Sequence, residues 1–526
     1  MPRIWLDSMR TDGAPNRRLG PRAVSLLILG AGSIALGFGD LAITASHPGA
    51  EMARLLNGLV TPDLSAVNGR ALLNTVAFAV LGVGVGGTSG FLLALVFPRC
   101  RAVRVLCAFL RSIHELFWAL LLMQVLGLGP LTGVLAIALP YAGIFAKVFS
   151  EIIEEADLSA LQVLPRGTGT ISAFAYARLP DLLGQFGHYS LYRLECGLRS
   201  TLVLGFIGLP TIGFELDAFF KQGDFSQAAA LLFCFYGLVA TRRLWARLWT
   251  LPLLVIGSLV VLPSGLATPH LWQNLVRFLG HDIVPTPLRA ADLLSAGSWT
   301  DFARWLGDIA THEILPGALR TLVLSQIALC AMAILSLVLF PLVCRRFSGR
   351  LGRPAGRTLL IVVRSTPDYM LAYVLLQTLG PSMLPAVIAL TLHNGAVVAY
   401  LMGQQADALP YRADAPRGAD LYFYETLPRL YGQFLAYVLY RWEIILRESA
   451  IFGILGVTTL GFYVDAAISE LRLDVAVVLI LATAALSMAV DALSRALRAS
   501  LRLDTLPGRL SAGINPSARA ATEAIP

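Results

Sequence analysis

The chain has 526 residues and a formal net charge of +8, yet only 14% of its residues are charged while 56% are hydrophobic, and its mean hydropathy is +0.70. A soluble domain carries roughly 25% charged residues, so the composition excludes an ordinary soluble enzyme and describes a polytopic membrane protein. Lys147 and Lys221 are the only lysines; the remaining positive charge is arginine clustered in short loops beside apolar runs, the pattern of the positive-inside rule and not of a nucleic-acid surface.

Arg3, Arg10, Arg17, Arg18 and Arg22 precede a first apolar run that starts at Ala23. The run is longer than a secretory core and shows no small-residue cleavage site, so it reads as an uncleaved span. Crossing ~30 Å of hydrocarbon takes about 20 residues. Such runs fall near 23–43, 72–97, 112–130, 131–150, 187–209 and 225–241, and again near 248–267, 315–341, 365–382, 383–402, 435–457 and 475–493. The expectation is an all-α membrane protein of about twelve transmembrane helices in two sets of six.

Threading from a cytoplasmic N-terminus places Arg99, Arg101 and Arg104, then Arg166 and Arg178, then Arg242, Arg243 and Arg247 inside. Arg345, Arg346, Arg350, Arg353 and Arg357 follow, then Arg412, Arg417 and Arg429, and finally Arg495, Arg498 and Arg502. The opposite loops carry Glu51, Asp63, Glu215, Asp217, Asp224 and a mixed stretch, 270–313. Both termini are therefore expected in the cytoplasm, with the protein in the cytoplasmic membrane. Cys100, Cys107, Cys196, Cys234, Cys330 and Cys344 form no CxxC pair and no metal-ligand spacing, so neither a disulfide nor a metal is expected.

The two sets are a repeat. QFGHYSLYRLECGLRSTLVLGFIGLPTIGFELDA, starting at Gln185, aligns without a gap to QFLAYVLYRWEIILRESAIFGILGVTTLGFYVDA, starting at Gln433, and about half of the positions match. Upstream, RSIHELFWALLLMQ at Arg111 is similar to RSTPDYMLAYVLLQ at Arg364. Equal span counts and the same starting side make the repeat parallel. The expected domains are 1–243 and 244–526, with the junction near 241–249.

Ionisable groups inside these apolar runs cost roughly 2.5–3.5 kcal/mol each unless they find partners or water. Arg193, Glu195 and Arg199 lie within the fifth span, and Arg441, Glu443 and Arg447 repeat them in the eleventh. Glu195 and Arg199, like Glu443 and Arg447, stand four residues apart on one helical face. Two readings are open. The groups line the path of an anionic substrate, or each pair neutralises itself and locks helix packing. His114, Glu115 and Asp368 read as interfacial caps and His393 as a satisfied helix histidine.

Two cytoplasmic loops, 151–185 and 403–433, are long where the others are short. The first contains ALQVLPRGTGTISAFAYARLPDLLGQF, and both end in Leu-Pro: Leu179-Pro180 and Leu427-Pro428. The loop resembles the coupling loop of ABC importer permeases, with Gly167 at that family's distance from Pro180; Gly418 stands three residues closer to Pro428, and the loop's usual EAA triplet is absent. RSIHELFWALLLMQVLGLGPLTGVLAIALPYAGIFAKVFSE (111–151), LYRLECGLRSTLVLGFIGLPTIG and MARLLNGLVTPDLSAVNGRALLNT are similar to the phosphonate-type importer permeases. The stretch 270–313 has no counterpart there.

The resemblance implies two fused type I importer domains that move a small phosphorus-containing anion by alternating access. It also implies a separate ATPase, in two copies, docking at Gly167, Leu179, Pro180 and at Gly418, Leu427, Pro428, with an extracytoplasmic binding protein delivering substrate. Neither lysine sits in the Gly-Lys-Ser/Thr context of a P-loop, so ATP is expected in the partner and no cofactor in this chain. The alternative is a secondary transporter of the major-facilitator type, whose basic loop CRRFSGRLGRPAGR (344–357) faintly resembles.

Overall fold

The computed structural model describes residues 20–156, 164–165, 167–262, 270–289, 295–412 and 414–501. Arg3, Arg10, Arg17, Arg18, Arg166 and Arg502, and the stretch 157–163 of the first long loop, lie outside the described residues. Every regular element among the described residues is helical.

Among the described residues five helices are long and apolar enough to cross a membrane: Gly69–Val96, Pro130–Glu155, Ala296–Val343, Leu384–Ala408 and Leu473–Ser500. Two bent helix pairs, Arg101–Ser112 with Glu115–Leu126 and Gly352–Ser365 with Asp368–Leu379, turn by 95° and 89°, and each is apolar enough to form a broken span or a re-entrant loop. The runs expected at 112–130 and 365–382 are thus the outer limbs of elbows. The runs expected at 23–43, 225–241 and 248–267 form the shorter helices Pro21–Leu36, Phe225–Ala240 and Leu251–Val261. The charged runs at 187–209 and 435–457 belong to the long helices Leu179–Phe206 and Leu427–Ser449.

The elbows have a local cause. Pro367 lacks a backbone donor and disfavours helix in the residue before it, so the Gly352–Ser365 helix stops. In the first half His114 caps the new helix, its Nδ1 accepting from the Leu116 amide at 3.2 Å. The inner limbs carry arginines at helical spacing, Arg101, Arg104 and Arg111 and then Arg353, Arg357 and Arg364, opposite an apolar face.

Small residues set the closest helix pairing. Gly82, Gly86 and Gly90 form one face of the Gly69–Val96 helix, and an added Cβ would lie 2.7, 2.8 and 2.4 Å from Ile137, Tyr141 and Phe145 of the Pro130–Glu155 helix. In lipid, where apolar burial gives no drive between helices, such close backbone packing supplies the association.

The repeat is visible in shared contacts. The Ile212 amide donates to Thr75 Oγ1 and the Leu460 amide to Thr321 Oγ1, both at 3.0 Å. A Cβ on Gly205 would sit 2.1 Å from the Phe214 nitrogen, and one on Gly453, 248 residues later, 2.0 Å from the Phe462 nitrogen. Only glycine admits these tight returns.

The first helix of each sequence half leans on the other half. Pro21–Leu36 runs along Leu315–Leu339, and Leu251–Val261 along Gly69–Val96. Gln326 Nε2 and Cys330 Sγ both reach the Ile28 carbonyl at 3.1 Å, and the Ser25 and Tyr431 hydroxyls are 2.6 Å apart. The unmatched stretch supplies the helices Leu271–Arg277 and Ala296–Ile309, the latter running on into the Leu315 span.

Gly90→Val should lower the thermal unfolding midpoint of the purified protein in detergent, because overpacking costs about 1–3 kcal/mol. Gly237→Val, where an added Cβ meets nothing within 4 Å, is the control and should leave the midpoint unchanged.

Candidate functional site: a charged centre and two exposed loops

The Leu179–Phe206 and Leu427–Ser449 helices carry the predicted ionisable groups, but not in the expected i, i+4 pairs. Glu195 Oε2 lies 3.2 Å from Arg242 Nη2, and Arg242 also donates to the Leu191 carbonyl at 2.7 Å. Glu443 Oε1 lies 3.7 Å from Arg111 Nη1, while Arg111 Nη2 is 2.6 Å from Asp491. Each glutamate is held by an arginine from another helix, leaving Arg199 and Arg447 to other partners.

Those partners lie across the molecule. Arg199 Nη1 donates to the Arg364 carbonyl at 3.2 Å, and Arg447 Nη1 donates to the Arg111 carbonyl at 3.0 Å. Both acceptors stand in the last turn of an elbow's inner limb, where helical carbonyls lack intrahelical donors. Each guanidinium thus caps the elbow of the opposite half. Among the described residues neither makes an ion pair within 4.0 Å, and Arg447 Nε is buried without a partner.

The arginines six residues earlier on each helix are held differently. Arg193 Nε donates to the Tyr189 hydroxyl at 2.8 Å, and its guanidinium stacks over Tyr189 and Tyr192 at 5.1 and 5.6 Å from the ring centroids. Arg441 Nη1 donates to Asn394 Oδ1 at 3.1 Å, and Asn394 Nδ2 donates to Glu448 Oε2 at 3.1 Å.

Acidic groups close the centre at the elbow breaks. Glu115 accepts from Ser200 at 2.7 Å and lies 3.5 Å from His114 Nε2. Asp368 is buried, with one carboxylate oxygen unpartnered. Of these groups, expected as interfacial caps, His114 does cap its helix, and His114 and Asp368 are buried among the helices. His393 Nδ1 lies 2.9 Å from the Thr366 carbonyl and ties the second break to the Leu384–Ala408 helix. Among the described residues no three His, Cys, Asp or Glu side chains gather as metal ligands.

The sequence reading missed Arg111, Arg364, Asn394, Glu448, Arg242 and Asp491 as members of this centre. Arg111 and Arg364 were already aligned in the repeat, so their matching places were the available signal. Glu448 stands where the 248-residue offset puts Ser200, a break in the repeat that also marks it.

Both long loops are built alike. Gly167 and Gly418 adopt positive φ, 98° and 65°, with open space around them. Each is followed by a short wide-turn segment, Phe174–Arg178 or Leu421–Thr426. Leu179-Pro180 and Leu427-Pro428 then open the long helices, where proline's missing donor costs nothing. Tyr176 and Tyr424, at equivalent positions, are 83% and 80% exposed, with Ile171 and Phe423 exposed beside them. These apolar knobs were not singled out from sequence, although AYARLP and FYETLP align there. The second loop is braced by Tyr411 to Thr426 at 3.1 Å and Arg429 to the Pro410 carbonyl at 3.1 Å.

Comparison with known proteins bears out the resemblance read from the sequence. The chain is 26% identical over 494 residues to the phosphate-import permease protein PhnE of Mycolicibacterium smegmatis, an alignment covering 88% of this chain and 91% of that protein. It is 29% identical over 230 residues to the phosphite transport system permease protein PtxC of Stutzerimonas stutzeri, covering 40% of this chain and 84% of that protein. No family model and no solved structure matches the chain.

Arg111→Ala should destabilise the protein by about 3 kcal/mol, since it strands the partly buried Glu443 carboxylate and leaves Asp491 only the more exposed Arg495, 3.4 Å away. Arg364→Ala should cost less, because among the described residues the Arg364 guanidinium stacks on Tyr400, at 4.4 Å, and makes no ion pair within 4.0 Å. Unfolding midpoints of the two variants, compared side by side, check the order.

Proposed function

We propose, from the kinship of this chain with bacterial phosphate- and phosphite-transport permeases, that it is the membrane subunit of an ATP-driven importer of a small phosphorus oxyanion. The observation that carries this reading is the pair of similarities taken together. One relative matches along nearly the whole chain, while another finds most of its own length in 40% of it. That is the expectation for two permease domains, 1–243 and 244–526, joined in one chain with about twelve spans and both termini in the cytoplasm.

The anion path runs between the Leu179–Phe206 and Leu427–Ser449 helices. Arg193, Arg199, Arg441 and Arg447 supply positive charge there, with Glu195 and Glu443 held aside by Arg242 and Arg111. In a low-dielectric interior, guanidinium groups bound to tyrosine, amide or backbone carbonyl retain attraction for an oxyanion. Two ATPase copies dock on the loops around Gly167 and Gly418, taking Tyr176 and Tyr424 as knobs, and Leu179-Pro180 and Leu427-Pro428 transmit their closure to the central helices. An extracytoplasmic binding protein selects among phosphonate, phosphite and phosphate.

Uptake of labelled phosphite, in vesicles holding the chain with its ATPase and binding protein, tests the reading. It should need ATP hydrolysis and be blocked by phosphorus oxyanions but not by an amino acid. Uptake indifferent to an inactive ATPase would instead indicate a secondary transporter.

Arg193→Ala with Arg441→Ala should lower that uptake by about tenfold or more, the loss of roughly one charged hydrogen bond to the anion, with assembly intact. Tyr176→Asp with Tyr424→Asp should abolish co-purification of the ATPase while leaving the permease folded.

A further inference from the structure

At one end of the first half a cavity of about 540 Å³ opens between the start of the Gly69–Val96 helix, the turn at 128–130 and the return at 208–215. The arginine distribution assigns this end to the outside. Phe78, Leu128, Leu209, Phe214 and Leu262 make most of the wall apolar, and Leu128 and Phe214 are 56% and 48% exposed. Two acceptors interrupt that wall. Asn74 is only 4% exposed; its Nδ2 donates to the Pro210 carbonyl at 2.9 Å, while its Oδ1 is buried and has no partner among the described residues. Glu215 Oε1 accepts from Asn68 Nδ2 at 2.8 Å, and its Oε2 is likewise buried without a partner. The Arg70 side chain lines the same cavity and makes no hydrogen bond or ion pair among the described residues.

The second half fills the corresponding place with its own side chains. Thr75 and Thr321 serve matching amides, so Arg320, one residue before Thr321, stands where Asn74 does. Arg320 Nη1 donates to Thr458 Oγ1, and Thr458 lies 248 residues after Pro210. Tyr463 stands at the place of Glu215, and its ring lies 3.0 Å from where a Cβ on Gly317 would be, the counterpart of the cavity residue Ala71. One half thus carries a guanidinium and an aromatic ring where the other leaves an open space with two bare acceptors. The sequence that follows Leu262, PSGLATP, contains no cation to meet them. Unsatisfied buried oxygens are costly, and a cation with several N–H donors satisfies both at once.

We propose that this cavity binds a phospholipid whose headgroup carries a primary ammonium beside its phosphate, as in phosphatidylethanolamine. The three N–H donors of the ammonium serve Asn74 Oδ1 and Glu215 Oε2, the phosphate takes Arg70 through charged hydrogen bonds, and an acyl chain lies along Phe78, Leu128 and Leu262. The level suits a headgroup. Asn74 stands six residues from the Asn68 cap, about 9 Å along the helix, close to the thickness of the polar layer that borders the hydrocarbon. A quaternary ammonium has the same charge but no N–H, and a glycerol headgroup has no cation, so the two acceptors select by donor and charge together. The lipid does for the first half what Arg320 does for the second, tying the start of a long helix to the return that packs on it. Because the site needs only a membrane at this level, it stands whichever anion the chain carries.

The test uses the full chain, delipidated in detergent, with phospholipids of matched acyl chains added back and bound copies counted by native mass spectrometry. Phosphatidylethanolamine should be held about tenfold more tightly than phosphatidylcholine, the worth of one charged hydrogen bond. Glu215→Gln keeps one oxygen for Asn68 and turns the other into a donor, so it should erase that preference. Arg70→Gln should weaken both lipids and keep the preference. Asn74→Arg, which imports the residue of the second half, should abolish selective binding. Equal binding of the two lipids by the native chain would overturn the proposal. So would a preference untouched by Glu215→Gln in a variant that unfolds at the native midpoint. Ethanolamine phosphate, the headgroup without its chains, should raise the unfolding midpoint less than the lipid does; an equal rise would assign the site to a small soluble zwitterion and overturn the lipid. Glu215→Gln that leaves lipid selection unchanged but weakens attachment of an extracytoplasmic binding protein would assign the donor to that protein, again against the lipid.

Discussion

Two charged hydrogen bonds, from Arg199 to the Arg364 carbonyl and from Arg447 to the Arg111 carbonyl, organise the middle of this molecule. A guanidinium buried among apolar helices is costly unless it is fully used, and a helix that ends inside a membrane protein leaves carbonyls that need donors. Each defect answers the other. Because the donor and acceptor belong to different halves, the bonds also fix where the halves meet. The elbow breaks and the acids at Glu115 and Asp368 take their positions from that crossing.

The two halves are related but not interchangeable at this centre. Glu448 occupies the place of Ser200 and ties Asn394 to Arg441, whereas Ser200 serves Glu115. Arg111 is gripped by Asp491 and Glu443, while its counterpart Arg364 stacks on Tyr400. The residue 248 positions before Asp491 is Arg243, so the first half has no carboxylate to offer there. A chain that carries both halves can let each diverge. A dimer of identical subunits has no such freedom, since every change appears twice.

Much of this was legible in the sequence because it was local or repeated. The glycines at 205, 213, 453 and 461 aligned at one offset, and the returns they permit are the same in both halves. The Leu-Pro pairs marked helix starts because proline's missing donor costs nothing in the first turn. Arg199 and Arg447 stood out as charges in apolar runs. Their partners did not, since helical spacing offers i, i+4 neighbours on the same helix and says nothing of a carbonyl 165 or 336 residues away. The elbows were hidden for a related reason. An amphipathic limb joined to a short apolar limb has the length and hydropathy of one straight span, and only Pro367 hinted at the bend.

The exchange of first helices carries a consequence for synthesis. Pro21–Leu36 is synthesised before the other described helices, yet the carbonyl of Ile28 is met by Gln326, 298 residues later in the chain. At roughly 5–20 residues per second, that partner emerges about 15–60 s after the helix itself. For that interval the helix lacks Cys330, the residue against which Gly32 later seats. Folding therefore includes a docking between an early and a much younger part of the chain, timed by translation itself.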